Sequence, residues 1–301
     1  MSLPGVGRAH KGGFLLIKAD LHMHSTASDG VLAPDELMRR AWGLGFTHVS
    51  LTDHDSMAGI PQARETAQAL GLMLIPGVEL SCGAQKEIHV LGYGFDPENE
   101  ALGAFCRERV RQREARTAAM VEKLCELGKP VEMARVRELA CGVMGRPHVA
   151  RALLEMGHVS SVADAFDRFL KPGKPAYVPK EDVKVSEAVR LICEAGGIAV
   201  LAHPMELKMG DAMLESLISE WKSQGLAGVE VYHPSAQNNH ASFLKHLAQR
   251  GNMLITGGSD FHGEAVRKTE IGEGLDRWRT MESDLYALLK RMEQINTQKV
   301  R

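Results

Sequence analysis

Short apolar runs of β type recur along this chain, and they stop on side chains that bind metals. Four such runs are Val49–His54, Leu74–Glu79, Ile198–His203 and Leu254–His262, and Asp20-Leu21-His22-Met23-His24 supplies a fifth segment. On an extended strand residues i and i+2 project from one face, so His22 and His24 can grip one ion together. With Asp29 and His89 the set becomes His22, His24, Asp29, His54, Glu79, His89, His203, Asp260 and His262, six imidazoles and three carboxylates. A lone histidine at a strand end is ordinarily a satisfied core or surface residue. Five segments built alike from a total of thirteen histidines point instead to a polynuclear metal site. Imidazole and carboxylate without cysteine suit Mn, Zn, Fe or Mg better than a thiolate-loving metal.

Helical patterns separate these runs. Pro34 stands where a helix can begin, Leu37, Ala41 and Leu44 give it one apolar face, and Ile60 to Leu70 repeats the pattern. The alternation returns from Val183, with the Ile198 strand, a helix from Met213 to Gln224, a strand over Val229–Tyr232, a helix from Ala241 to Gln249 and the Leu254 strand. Strand and helix in alternation imply an α/β fold with a parallel sheet, here a closed or nearly closed (β/α) barrel, although alternation alone leaves seven or eight strands open. Active sites of such barrels lie at the carboxyl ends of the strands, where every candidate ligand falls.

Between Pro97 and Pro179 the strand signal vanishes. Helical stretches over Leu102–Leu127, Val131–Ala140, Val149–Glu155 and Val162–Phe169 read as a helical insertion over the barrel mouth, with Pro172-Gly173-Lys174-Pro175 as its exit linker. The expected organisation is a flexible leader over 1–16, barrel over 17–97, insertion over 98–180 and barrel again over 181–301.

The formal charge of −2 gives no global attraction to polyanions, so any such binding needs a local patch or metals, and stable double-stranded DNA binding is not expected. Five cysteines, odd in number and without CxxC spacing, argue against a disulfide framework and fit a reducing cytoplasm. Neither a long apolar span nor a signal-peptide order appears, so no membrane association is expected.

His22-Met23-His24-Ser25, Ser28-Asp29-Gly30, Thr52-Asp53-His54, Gly77-Val78-Glu79, His203-Pro204 and Ser259-Asp260-Phe261-His262 together resemble the motifs of the PHP (polymerase and histidinol phosphatase) superfamily. The chain is most similar to its YciV/TrpH-like branch, which includes nucleoside 3′,5′-bisphosphate phosphatases and 5′-to-3′ exoribonucleases. The resemblance implies a distorted (β/α)7 barrel of the PHP type with the helical insertion over its C-terminal face. It also implies three divalent metal ions, manganese first, with zinc, iron or magnesium as alternatives. By resemblance, His22, His24, Glu79 and Asp260 hold one ion, Glu79, His89 and His203 a second, and Asp29, His54 and His262 a third.

Three divalent ions against three carboxylates leave a surplus of positive charge, which suits a phosphate ester better than a neutral amide. The expected reaction is in-line attack on phosphorus by a hydroxide shared between two metals. His203, His233 and a water on the third metal are the candidate proton donors to the leaving group, and the sequence does not choose among them. Arg146, in Arg146-Pro147-His148 at a helix start, is a candidate phosphate contact, supported by the branch's similar segment, and Arg116 and His233 are further substrate contacts. Arg107, Arg109, Arg111, Arg113 and Arg116 read otherwise as a solvated helix face, from which Arg116 or Arg113 could still reach the cleft. Ser25, Thr52, Asp53 and Asp55 either orient imidazoles or serve turn chemistry.

The expected substrate is a nucleoside 3′,5′-bisphosphate such as pAp, losing its 3′-phosphate. Rivals are a 5′-to-3′ exoribonuclease on short 5′-phosphorylated RNA, a small-molecule phosphatase such as histidinol phosphatase, and a non-catalytic PHP module, which the complete ligand set disfavours. Barrel amidohydrolases commonly carry a lysine bridge at a strand end, which this chain lacks.

Overall fold

The computed structural model describes residues 17–83, 86–140, 142–236, 239–263, 271 and 282–299, and the leader expected over 1–16 lies outside them. The first half runs β1 (Ala19–Asp20), α1 (Pro34–Gly43), β2 (His48–Leu51), α2 (Ile60–Leu70), β3 (Met73–Cys82) and β4 (Ile88–Tyr93). The two helices start as their sequences direct. Pro34 opens α1, Glu36 accepts from the Ala33 amide at 3.0 Å, and Leu37, Met38 and Ala41 form the buried face. The second half returns with α7 (Val185–Glu194), β5 (Ile198–Leu201), α8 (Asp211–Ser223), β6 (Gly228–Tyr232), α9 (Asn239–Arg250) and β7 (Leu254–Gly257).

One seven-stranded sheet follows chain order from β1 to β7. Both faces of its strands are covered, which is why Val78, Leu80, Val90, Leu91, Val200, Leu201, Val229 and Val231 are all buried and the runs read as near-continuously apolar. The expectation of a parallel sheet needs one correction. Strand β4 is antiparallel to both β3 and β5. The link from Cys82 to Ile88 is too short for a crossover, so β3 and β4 must form a hairpin.

The barrel nearly closes between its first and last strands. The Leu21 amide donates to Gly257 O at 3.2 Å, the Asp260 amide donates to His22 O at 2.9 Å, and Met23 bridges Phe261. At this seam a Cβ on Gly258 would lie 2.4 Å from both Cβ and N of His22. Gly258→Ala is therefore expected to cost about 1–3 kcal/mol, from overpacking at a backbone that cannot yield. A denaturant midpoint unchanged from wild type would contradict that reading of the seam.

Between β4 and α7 stand α3 (Glu100–Glu126), α4 (Met133–Ala140), α5 (Arg146–Glu155) and α6 (Val162–Ala165), the last continued by a π-turn over Phe166–Leu170. Met120, Leu124, Val136, Val149, Leu153, Phe169 and Leu170 pack into a core that these helices make among themselves. A last helix, α10 (Glu282–Lys299), was not foreseen by the alternation of strands and helices. Its Leu285 and Leu288 are buried against Leu21, Leu91 and Tyr93 at the first strand and β4.

Candidate metal centre

The ends of different strands bring eight of the nine candidate ligands to one rim, and Asp29 joins them from the turn after β1. His22 and His24 follow β1, His54 follows β2, Glu79 lies in β3, His89 opens β4, His203 follows β5, and Asp260 and His262 follow β7. The antiparallel β4 supplies His89 from its beginning rather than its end, since its direction is reversed. Backbone geometry is unusual at the same level. Asp55, His203 and Asp260 adopt positive φ of 50°, 25° and 50°, in the region that L-residues rarely visit and that clusters at functional sites.

Glu79 sits at the middle. Its Oε1 accepts from His89 Nδ1 at 2.9 Å and His203 Nε2 at 2.8 Å. Its Oε2 is 2.9 Å from His54 Nδ1, 3.3 Å from His24 Nε2 and 3.4 Å from His22 Nε2. Asp260 Oδ1 approaches the same two nitrogens, at 3.2 Å from His24 and 3.5 Å from His22. On the far side His262 Nε2 lies 3.3 Å from Asp29 Oδ1, with His54 Nε2 at 3.9 Å from Asp29 Oδ2.

These contacts gather four sets of donor atoms, each set lying within 4.8 Å: His24, Asp29, His54 and His262; His22, His24 and Asp260; His22, Glu79 and His203; His54, Glu79 and His89. All nine residues expected from sequence are included. The sets overlap more than the expected division by ion, because His24 also joins Asp29, His54 and His262. Glu206, His233 and Asp260 form a further set at the edge.

The chemistry of the donors fits divalent metal ions. His22 Nε2, both ring nitrogens of His24, His54 Nδ1 and Glu79 Oε2 are buried polar atoms without a hydrogen-bond partner among the described residues. Such atoms are costly unless something binds them, and here they converge with carboxylates. Electrostatics agree. Burial disfavours charge on Glu79, yet the imidazoles of His54, His89 and His22 hold its carboxyl well below the usual range. Asp29 behaves alike, with His54, His262 and His24 overcoming its burial.

Residues outside the set position it. His22 Nδ1 donates to Glu230 Oε1 at 2.9 Å, which leaves Nε2 to face the centre, and Glu230 Oε2 accepts from the His203 amide at 2.7 Å. Glu230 was not singled out from sequence because it lies inside the apolar run of β6. A glutamate inside such an apolar run is the signal that could have found it, and the structure buries it fully. Asp20 is another: it accepts from the His22 and Ser259 amides, and burial pushes its carboxyl up to about 6.

Asp53 accepts from the Ser25 amide and hydroxyl at 2.7 Å and from the Ser28 hydroxyl at 2.6 Å, and burial likewise pushes it up to about 6. Thr52 bonds the Met23 backbone. Of the two roles open to Ser25, Thr52 and Asp53, turn chemistry describes their contacts. Asp55 instead reaches the inserted helices, accepting from Arg113 Nε and Nη2 at 2.9 and 2.7 Å and from the Ser81 amide at 2.8 Å.

A cavity of about 400 Å³ opens between this centre and the helices, reaching Asp29, His54, His89 and His262 on one wall. Arg113, Arg116, Arg146, Arg151 and Lys180 line the other. The arginines of α3 therefore form the expected solvated face only in part, through the exposed Arg107 and Arg111, while Arg113 and Arg116 reach the cleft. Arg109, Arg113 and Arg116 are spaced by about one helical turn and turn inward together, with Arg109 buried, whereas Arg107 and Arg111 line a separate cavity. Arg116 Nε donates to Val178 O at 3.0 Å, and burial beside Arg146 and Arg113 lowers it to about 10. Arg146 opens α5 after Gly145, as expected. His233 is buried at the end of β6, with Nε2 3.4 Å from Asp260 Oδ2. Lys180 and Arg151 were not singled out from sequence.

A barrel rim of this composition defines a metal-dependent hydrolase. Comparison with known proteins narrows that class. The PHP domain family matches residues 20–178. A Haemophilus influenzae protein named 5′-3′ exoribonuclease is 37% identical over 86% of this chain and 94% of its own length. A Chromobacterium violaceum 3′,5′-nucleoside bisphosphate phosphatase is 33% identical over 88% of this chain and 96% of its own. A Bifidobacterium adolescentis structure assigned as a metal-dependent phosphoesterase superposes with a TM-score of 0.80 at 29% identity, covering 91% of this chain and 96% of that one. The chain belongs to the PHP family and is a hydrolase acting on phosphoester bonds. Among the described residues no helix is long and apolar enough to cross a membrane.

Proposed function

We propose that this protein removes the 3′-phosphate from nucleoside 3′,5′-bisphosphates such as pAp, in the cytoplasm. The observation that carries the reading is the basic cavity beside the metal donors. It offers a second anion seat next to the reacting one and is the size of a small ligand. In this reading His22, His24, Asp29, His54, Glu79, His89, His203, Asp260 and His262 hold three divalent ions, manganese first. When bound, such ions supply the charge that activates water and draws electron density from phosphorus.

The chain's own residues do the rest. Arg146 and Arg116 grip the second phosphate, with Lys180 and Arg151 beside them, and thereby orient the ester toward the rim. Residues 98–180 act as an insertion domain that roofs the cavity between barrel parts 17–97 and 181–301. His233 is the preferred proton donor over His203. The Ser235 amide donates to its Nδ1 at 3.0 Å, which puts the proton on Nε2, facing the centre. His203 Nε2 is already engaged with Glu79.

A second reading has specific support. The 37% identical relative is named a 5′-3′ exoribonuclease, and the same cavity suits the 5′-phosphate of a short RNA. A panel of pAp, a 5′-phosphorylated RNA oligomer and histidinol phosphate, assayed with added Mn, separates the readings. The first expects the highest kcat/KM with pAp. Faster release of mononucleotides from RNA overturns it in favour of the second.

A further inference from the structure

One carboxylate in the basic cavity stands outside the metal-donor set: Glu87. Arg146 Nη2 donates to its Oε2 at 3.0 Å and its Oε1 at 3.3 Å, and Lys180 Nζ lies 3.5 Å from Oε1. Among the described residues no other carboxylate pairs with either cation. The two cations belong to the wall. Arg146 and Lys180 side chains are 18% and 9% exposed, Arg146 lies over the Phe166 ring, and Lys180 Nζ also donates to Cys82 O at 2.9 Å. Glu87 is different. Its side chain is 46% exposed, and its ion pairs and side-chain hydrogen bonds among the described residues are those with these two cations. It reaches in from solvent.

Glu87 also lies close to the centre in the chain, two residues before the metal-donor His89, and the two line the same cavity.

We propose that the Glu87 carboxylate holds the seat of the substrate's second anionic group, and that a phosphate takes over Arg146 and Lys180 by turning Glu87 out to solvent. The proposal rests on the reading of this cavity as a nucleotide phosphate site. The exchange is favourable because a phosphate brings more charge and a third acceptor oxygen to cations that are already in place, and the half-exposed Glu87 regains water when it turns out. Glu87 thereby acts as a selectivity device: a ligand with a neutral group at this position has nothing to displace it with.

The test titrates adenosine 5′-monophosphate, and separately adenosine, into the metal-loaded full chain and its Glu87→Gln variant by calorimetry. The expected result is a Kd for the monophosphate roughly tenfold lower in Glu87→Gln, with adenosine unchanged. The gain should vanish when Arg146→Ala is added. A residue that only props Arg146 in place predicts weaker binding in Glu87→Gln, and that result, or an unchanged Kd, overturns the proposal. Hydrolysis of adenosine 3′,5′-bisphosphate is followed in parallel. Tighter monophosphate binding with no phosphate released by either protein supports the Glu87 exchange while removing the bisphosphatase reading.

Discussion

Glu79→Gln is expected to lower phosphoester hydrolysis by on the order of 10³-fold or more while leaving a folded barrel. Glu79 meets more of the candidate imidazoles than any other carboxylate of the set. One oxygen meets His89 and His203 within 2.9 Å, and the other lies within 3.4 Å of His22, His24 and His54. Glutamine keeps the volume but gives up the charge and turns one acceptor into a donor, facing nitrogens that need an anion or a cation between them. The check is phosphate release with added Mn beside the metal content per chain, with circular dichroism reporting the fold. Near-normal turnover in a metal-depleted variant would remove Glu79 from the mechanism.

Glu230→Ala is expected to act through His22 and His203 rather than by direct contact. It strips a buried imidazole and a buried amide of their acceptor at once, which should destabilise the chain by about 3 kcal/mol. It should also weaken metal binding by about 10–100-fold, since His22 loses the partner that aims its Nε2. Glu230→Gln, which retains an acceptor oxygen, should recover part of both. The measurements are a denaturant midpoint on chelator-treated protein and a metal titration. Wild-type values in both for the alanine variant would show that Glu230 positions nothing.

Most of the candidate ligands were legible because they follow an apolar run, and a polar residue that ends a barrel strand has one place to go, whereas His89 opens its strand and Asp29 lies in a turn. Helices such as α1 and α5 were legible from proline at their starts. The reversal of β4 was not, because it depends on how few residues link Cys82 to Ile88, and a run of alternating elements masks one missing crossover. Glu230 was hidden by its apolar neighbours in β6. The arginines of α3 were legible only in part: four cations at spacing two suggest a solvated ring, which holds for Arg107 and Arg111, but Arg109, Arg113 and Arg116 share one wall of the cavity. Contacts made across long stretches of chain, such as Arg146 with Glu87, leave no local trace.

The backward run of β4 has a consequence for how the molecule is assembled. A strand that descends hands the chain over at the floor of the cylinder, so α3 has to climb. By Arg113, halfway along, it has reached Asp55 and Ser81 at the mouth, and its remaining turns carry the chain roughly 20 Å further. A single inverted strand thus makes the next helix a mast, rooted in the barrel wall, from which the whole roof is hung.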